Sequence, residues 1–181
     1  MAEFLEPDRI VQSFALQPGD YVADFGAGHG FFTMAMARAV GGDGKVYALD
    51  IQKSVLEVIR AKAKLEHLLN VEYVWADLEK IGGSKLTDAA VDFVIIANIL
   101  FQAEDKQTLM KESNRVLRIG GRLTLIEWNP VDEGKGPSLG PPIPVRVGKE
   151  IALSFAKEAG FQMDREFDAG AHHYGLLFKK P

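Results

Sequence analysis

From Tyr21 to Lys179 the chain alternates short apolar runs with amphipathic stretches, and this rhythm limits the possible folds more than any other property of the sequence. YVADF (Tyr21–Phe25), KVYALD (Lys45–Asp50), Val71–Trp75, VDFVIIA (Val91–Ala97) and RLTLIEW (Arg122–Trp128) read as strands; the fourth is apolar enough to be covered on both faces. Phe32, Ala35, Met36, Ala39 and Val40 recur at helical spacing and stop at Gly41-Gly42. Ser54-Val55-Leu56-Glu57 reads as a capping box that opens a helix to about Leu69, with Asn70 as its stop. Glu104–Leu117 predicts a helix with acids in its first turn, Arg115 and Arg118 near its end, and Gly120-Gly121 closing it. Lys149–Ala159 predicts another. Phe161–Phe167 and His173–Lys179 are separated only by Asp168–His172 and should form an antiparallel hairpin. The alternation asks for one more helix between Trp75 and Val91, which has no firm place.

Such alternation gives a mostly parallel sheet with helices on both faces. Ligands of such sheets sit beyond the carboxyl ends of the strands, near the point where the strand order reverses. The residues just after each strand are therefore the ones to inspect. The 181 residues fit one domain, 1–181, against a prior of about 150 residues per domain. One stretch breaks the pattern: Asn129–Gly148 holds five prolines and four glycines. It leaves the end of a strand, so it is expected to cover the ligand crevice, with Trp128 and Arg146 at its two ends.

Composition removes several classes of function. There is no cysteine, which excludes disulfides, thiolate catalysis and cysteine-based metal sites. The net charge of −4 argues against a nucleic-acid partner. No apolar run is long enough to span a membrane. Met1–Ile10 carries Glu3, Glu6 and Asp8 and lacks the basic, then apolar, pattern of a signal peptide. The expectation is a cytoplasmic protein with no integral membrane association.

The segment richest in chemistry is Asp24-Phe25-Gly26-Ala27-Gly28-His29-Gly30, between the first strand and the first helix. Alternate glycines let a backbone turn tightly and approach a ligand. The pattern is not the dinucleotide fingerprint, because Phe31 stands where its third glycine belongs. An acid two residues before the first glycine would repel a pyrophosphate and suits a ligand with a nearby positive group. Asp50 ends the second strand, where an acid can accept from ribose hydroxyls. Asp77 follows the third strand, and Asn98 ends the fourth.

DFGAGHG, VYALD, VWADL, IIAN and IGGRLTLIEW occur in that order, and with them the chain resembles the class I S-adenosylmethionine-dependent methyltransferases over nearly its whole length. ANILFQ and GGRLTLIEWNP resemble, within that class, the branch that includes the ubiquinone and menaquinone biosynthesis methyltransferases. The resemblance implies a Rossmann-like α/β fold with a seven-stranded sheet in the order 3-2-1-4-5-7-6 and strand 7 antiparallel. It implies S-adenosyl-L-methionine as cofactor. Gly26, Ala27 and Gly28 would line its methionine part, and Asp24 would interact with its amino group. Asp50 would hold the ribose, with Ile51 beside the adenine. Asp77 and the Leu78 amide would meet the adenine, and Asn98 would close the methionine end.

The implied activity is methyl transfer to a small-molecule acceptor. Asn98-Ile99-Leu100-Phe101 lacks the Pro-Pro-aromatic run of enzymes that methylate nucleic-acid bases. Metal is not expected, since an acid rather than Asn98 suits the metal-dependent catechol type. His29, Glu127, His172 and His173 are candidate bases, none of them assigned as catalytic. A cofactor-binding or partner-dependent subunit without independent turnover, and a dinucleotide-dependent oxidoreductase, are the alternatives; a homo-oligomer stays open.

Overall fold

A computed structural model describes residues 5–131 and 139–181. Its centre is a seven-stranded sheet in the order β3-β2-β1-β4-β5-β7-β6. The strands are β1 (Tyr21–Phe25), β2 (Lys45–Asp50), β3 (Val71–Trp75), β4 (Val91–Ala97), β5 (Leu117–Trp128), β6 (Gln162–Asp168) and β7 (His173–Lys179). β1 to β5 run parallel, and β7 lies antiparallel between β5 and β6. The helices are α1 (Pro7–Gln12), α2 (Phe31–Val40), α3 (Lys53–Leu65), α4 (Lys106–Val116) and α5 (Lys149–Glu158). Fold class and strand order are those expected from the sequence.

The sheet is apolar on both sides because alternate residues of each inner strand serve different helices. Ala23, Phe25, Val94, Ile96, Leu123 and Leu125 pack with α4 and α5. Val22, Phe93, Ile95 and Ile126 pack with α1 and α2. Met34, Ala48, Leu56, Ile59 and Ala63 form a smaller cluster under α3. Burying a leucine- or phenylalanine-sized side chain is worth about 1.5–3 kcal/mol, so these two layers hold the strand ends in register.

Four local expectations need correction. The capping box at Ser54 does not form: the N-cap is Gln52, two residues earlier, and it makes no side-chain cap. The same helix stops at Leu65, short of Leu69, because His67 takes a left-handed conformation (φ 55°). No helix lies between Trp75 and Val91; the chain crosses there in turns. Gly120-Gly121 does not end α4 but lies within β5, which starts at Leu117 and shifts register against β4. α1 had no periodic signal, being only six residues long.

The turns before β4 are held by a buried carboxylate. Glu112 of α4 is fully buried and accepts from the amides of Gly82 and Ser84, at 2.8 and 3.1 Å, and from Arg115. These contacts pull its pKa down to about 2 against the opposing effect of burial. A group depressed in this way stabilises the fold above its unfolded pKa near 4.5 and loses that contribution as pH falls. Glu112→Gln should therefore cost roughly 3 kcal/mol at neutral pH. It should also flatten the loss of stability between about pH 4.5 and 2, as read by denaturant melts across that range.

Candidate active site

The strand order reverses between β1 and β4, and the turns that follow these two strands face each other across the crevice. After β1, the amides of Gly26 and Ala27 both donate to the Leu49 carbonyl, at 2.8 and 3.0 Å, so the loop stays tied to β2. Gly26, Gly28 and Gly30 have φ of 74°, 51° and 76°. The alternate glycines thus answer three left-handed backbone positions. They differ in surroundings. A Cβ on Gly26 would come within 2.6 Å of Ile99, and one on Gly30 within 2.8 Å of Ile59. One on Gly28 would meet nothing nearer than 3.9 Å, because that side opens into the crevice.

Asp50 ends β2 with its carboxylate turned toward the loop. It accepts from the Gly28 amide at 3.1 Å and from the Gln52 amide at 2.8 Å, and further lone pairs remain for a ligand. Asp24 points to the α2 side of the sheet, 2% exposed, and accepts from the Thr33 hydroxyl at 2.5 Å. Burial pushes its pKa up to about 7 despite Thr33, and Asp50 adds to the rise. Asp77 accepts from the Glu79 amide and pairs with Lys80 at 2.7 Å. Lys80 holds its carboxyl below the usual range.

On the other side of the crevice, Asn98 is held left-handed at φ 58°. Its amide donates to the Ile126 carbonyl at 2.8 Å. Its side-chain Oδ1 is buried and has no hydrogen-bond partner. Two cavities result. The smaller, about 320 Å3, is lined by Gly26, Gly28, Asp50, Ile51, Asp77 and Leu78. The larger, about 580 Å3, is lined by Asp24, Ala27 and Asn98, and by Leu5, Pro7, Phe31, Phe32, Trp128 and His173. Gly26, Gly28, Ile99 and Gln102 belong to both.

All nine residues named from the sequence therefore border this crevice, divided between its two cavities. Among the candidate bases, His29 and His173 line the larger cavity, while Glu127 and His172 line neither. Glu127, named as a candidate base because it ends a strand in the manner of the site acids, is fully buried instead of facing the crevice. Its Oε1 accepts from the Leu100 amide at 2.7 Å, fixing the turn that carries Asn98. Burial pushes its pKa up to about 7. Arg146 does not offer its charge to the crevice: it is buried and donates to the carbonyls of Asn129, Leu139 and Pro141. Of the expected covering loop, residues 132–138 lie outside the described residues, and the described parts line neither cavity beyond Trp128 at its root. Leu5 and Pro7 wall the larger cavity instead, a role with no sequence signal because α1 is too short to show a period.

A methyltransferase domain model matches residues 16–141, which include every one of the nine. The chain belongs to this methyltransferase domain family. The ubiquinone/menaquinone biosynthesis C-methyltransferase of Teredinibacter turnerae is 36% identical over 66% of this domain's chain and 47% of its own. The demethylmenaquinone methyltransferase of Geobacillus sp. is 34% identical over 62% and 47%. The chain thus spans about half the length of these curated relatives. Among solved structures, a SAM-dependent methyltransferase from Aquifex aeolicus superposes with a TM-score of 0.87 at 26% identity, covering 98% of this chain and 91% of that one. Family and fold place the domain in the S-adenosylmethionine-dependent class, with that molecule as its cofactor.

The methyltransferase crevice fits that cofactor on its own evidence. The orphaned Asn98 Oδ1 calls for a donor, the space beside Gly28 is one that any side chain would fill, and the carboxylates of Asp24 and Asp50 suit a cationic ligand. Gly28→Ala should fold, at about 1–2 kcal/mol for left-handed strain, yet lose at least tenfold in cofactor affinity by calorimetry. Asp24 makes a second prediction. A carboxyl whose pKa is raised on folding favours the folded state as pH falls from about 7 toward 3.8 and opposes it above 7. Asp24→Asn should raise the melting temperature of the cofactor-free domain at about pH 8 while weakening S-adenosylmethionine binding.

Proposed function

We propose that this domain transfers the methyl group of S-adenosylmethionine to a small, ring-containing acceptor held in the larger cavity. The observation that carries the reading is the shared wall. Gly26, Gly28, Ile99 and Gln102 border both cavities, so a cofactor whose adenosine lies in the smaller would pass its methionine end across them to Asp24 and Asn98 in the larger, beside the acceptor.

In this reading Asp50 accepts from the ribose hydroxyls, with Ile51 beside the adenine. Asp77 and the Leu78 amide meet the adenine edge. The loop Gly26–Gly28 backs the methionine part, Asp24 faces its ammonium, and Asn98 Oδ1 takes a hydrogen bond from the same end. When bound, the cofactor supplies an already activated sulfonium methyl. The protein's work is to place the acceptor in line and to keep water out; alignment of this kind lowers a barrier by up to ~7–11 kcal/mol. Leu5, Pro7, Phe31, Phe32 and Trp128 suit that task, giving the larger cavity an apolar and largely aromatic wall. The relatives whose names specify ubiquinone, menaquinone or demethylmenaquinone chemistry make a quinone-related ring, methylated at carbon, the first acceptor to try.

The test is incubation with methyl-labelled S-adenosylmethionine and a panel of hydroquinones, naphthols, amines and carboxylates, read by mass spectrometry. Methylated product from a ring compound, lost in Gly28→Ala, is the expected result. Tight cofactor binding with no product from any acceptor would favour the alternative of a binding or partner-dependent subunit.

A further inference from the structure

One wall of the larger cavity comes from β5 and β7, where Trp128 pairs with His173 across the antiparallel register. The two rings lie 4.1 Å apart. His173 is only 8% exposed, yet its Nε2 has no hydrogen-bond partner. A buried polar atom left in this state is normally completed by water or a ligand. Burial pushes the imidazole down to about 4, and His172 and Arg146 push the same way, so the ring is uncharged through the physiological range.

Glu127 Oε2 and His172 Nε2 are also buried without partners, but neither residue lines the larger cavity, and the charged groups nearest this wall are engaged elsewhere. Arg146 lies 5.7 Å from the Trp128 ring, with its guanidinium committed to the carbonyls of Asn129, Leu139 and Pro141. Glu127, beside Trp128 on β5, spends Oε1 on the Leu100 amide. His29 is exposed on the glycine loop, stacked with Phe31. Asp24 lines the same cavity but is engaged with Thr33.

We infer that His173 selects the acceptor, offering its unpartnered Nε2 to a hydroxyl on an aromatic ring packed against Trp128. The inference rests on reading the larger cavity as the acceptor site. A neutral imidazole has one N–H and one bare nitrogen, and a hydroxyl can satisfy either. A hydrocarbon ring leaves the nitrogen orphaned. A carboxylate would carry its charge into a desolvated wall that already holds Asp24 and whose described guanidinium, Arg146, is committed to backbone carbonyls.

The experiment uses the domain saturated with S-adenosylhomocysteine, so that no turnover occurs. 1-Naphthol and 1-methylnaphthalene, matched in size and differing in the hydroxyl, are titrated while the Trp128 indole and His173 imidazole resonances are followed by 15N NMR. 1-Naphthoate is the charged comparison. Naphthol should bind about tenfold more tightly than methylnaphthalene, move the His173 nitrogens and keep its advantage from about pH 5.5 to 8; naphthoate should not bind. His173→Phe should equalise the two neutral probes, and His173→Gln should retain part of the preference. Both variants are checked by thermal melts, and the wild-type nitrogen shifts remain decisive if one fails to fold.

Equal affinity of naphthol and methylnaphthalene in the wild type, or a preference that survives His173→Phe, overturns the role of His173 and leaves the acceptor site standing. If no probe perturbs Trp128, the acceptor reading of the cavity falls and the role of His173 with it.

Discussion

The hydrogen bond from the Gly28 amide to the Asp50 carboxylate fastens two neighbouring strand ends into one site. Three left-handed glycines could otherwise adopt many conformations, since glycine is the residue with most backbone freedom to lose. The anchor at Asp50, with the paired amides of Gly26 and Ala27 on the Leu49 carbonyl, selects one of them. A charge-assisted bond of this type is worth about 1.5–3 kcal/mol, enough to order a short loop. It also means that Asp50 serves the fold of the loop and the proposed ribose contact together.

Opposite this loop the same job falls to Glu127. Its carboxylate reaches the Leu100 amide from β5 and holds the turn on which Asn98 is kept left-handed. Both sides of the crevice are thus fixed by buried acids acting on backbone amides, while Asp24 sits between them with its pKa near 7. Burial of the Asp24 and Glu127 carboxyls, both pushed up to about 7, costs the protein stability at neutral pH and above. A ligand carrying positive charge recovers some of that cost, which is the ordinary trade of a preformed binding site.

The strands, the mostly parallel sheet and the residues at the strand ends were legible in the sequence because each depends on local pattern, whereas the strand order and the places of Ala27, Ile51 and Leu78 came only with the family resemblance. Strand runs declare themselves by apolar content, and Asp24, Asp50, Asp77 and Asn98 by standing just past them. What escaped was decided by distant partners. Ser54 has the right spacing for a cap, but α3 starts at Lys53 after an uncapped Gln52. Glu127 sits at a strand end like the site acids, and only the fold reveals that it turns to Leu100. Leu5 and Pro7 reach the larger cavity because Ile10 and Val11 of α1 are buried in the core beside α2, a contact no spacing announces.

Arg146 closes the chain excursion that leaves β5 by binding the carbonyls of Asn129 at its start and of Leu139 and Pro141 further along. The Tyr174 hydroxyl holds the next carbonyl, that of Val147, at 2.7 Å. The return point of the chain is therefore set by the sheet rather than by the length of the connection. Lengthening a closed loop costs slowly, about 0.6 kcal/mol per doubling. Added sequence between Val131 and Leu139 would accordingly leave these anchors, and the strand they serve, in place.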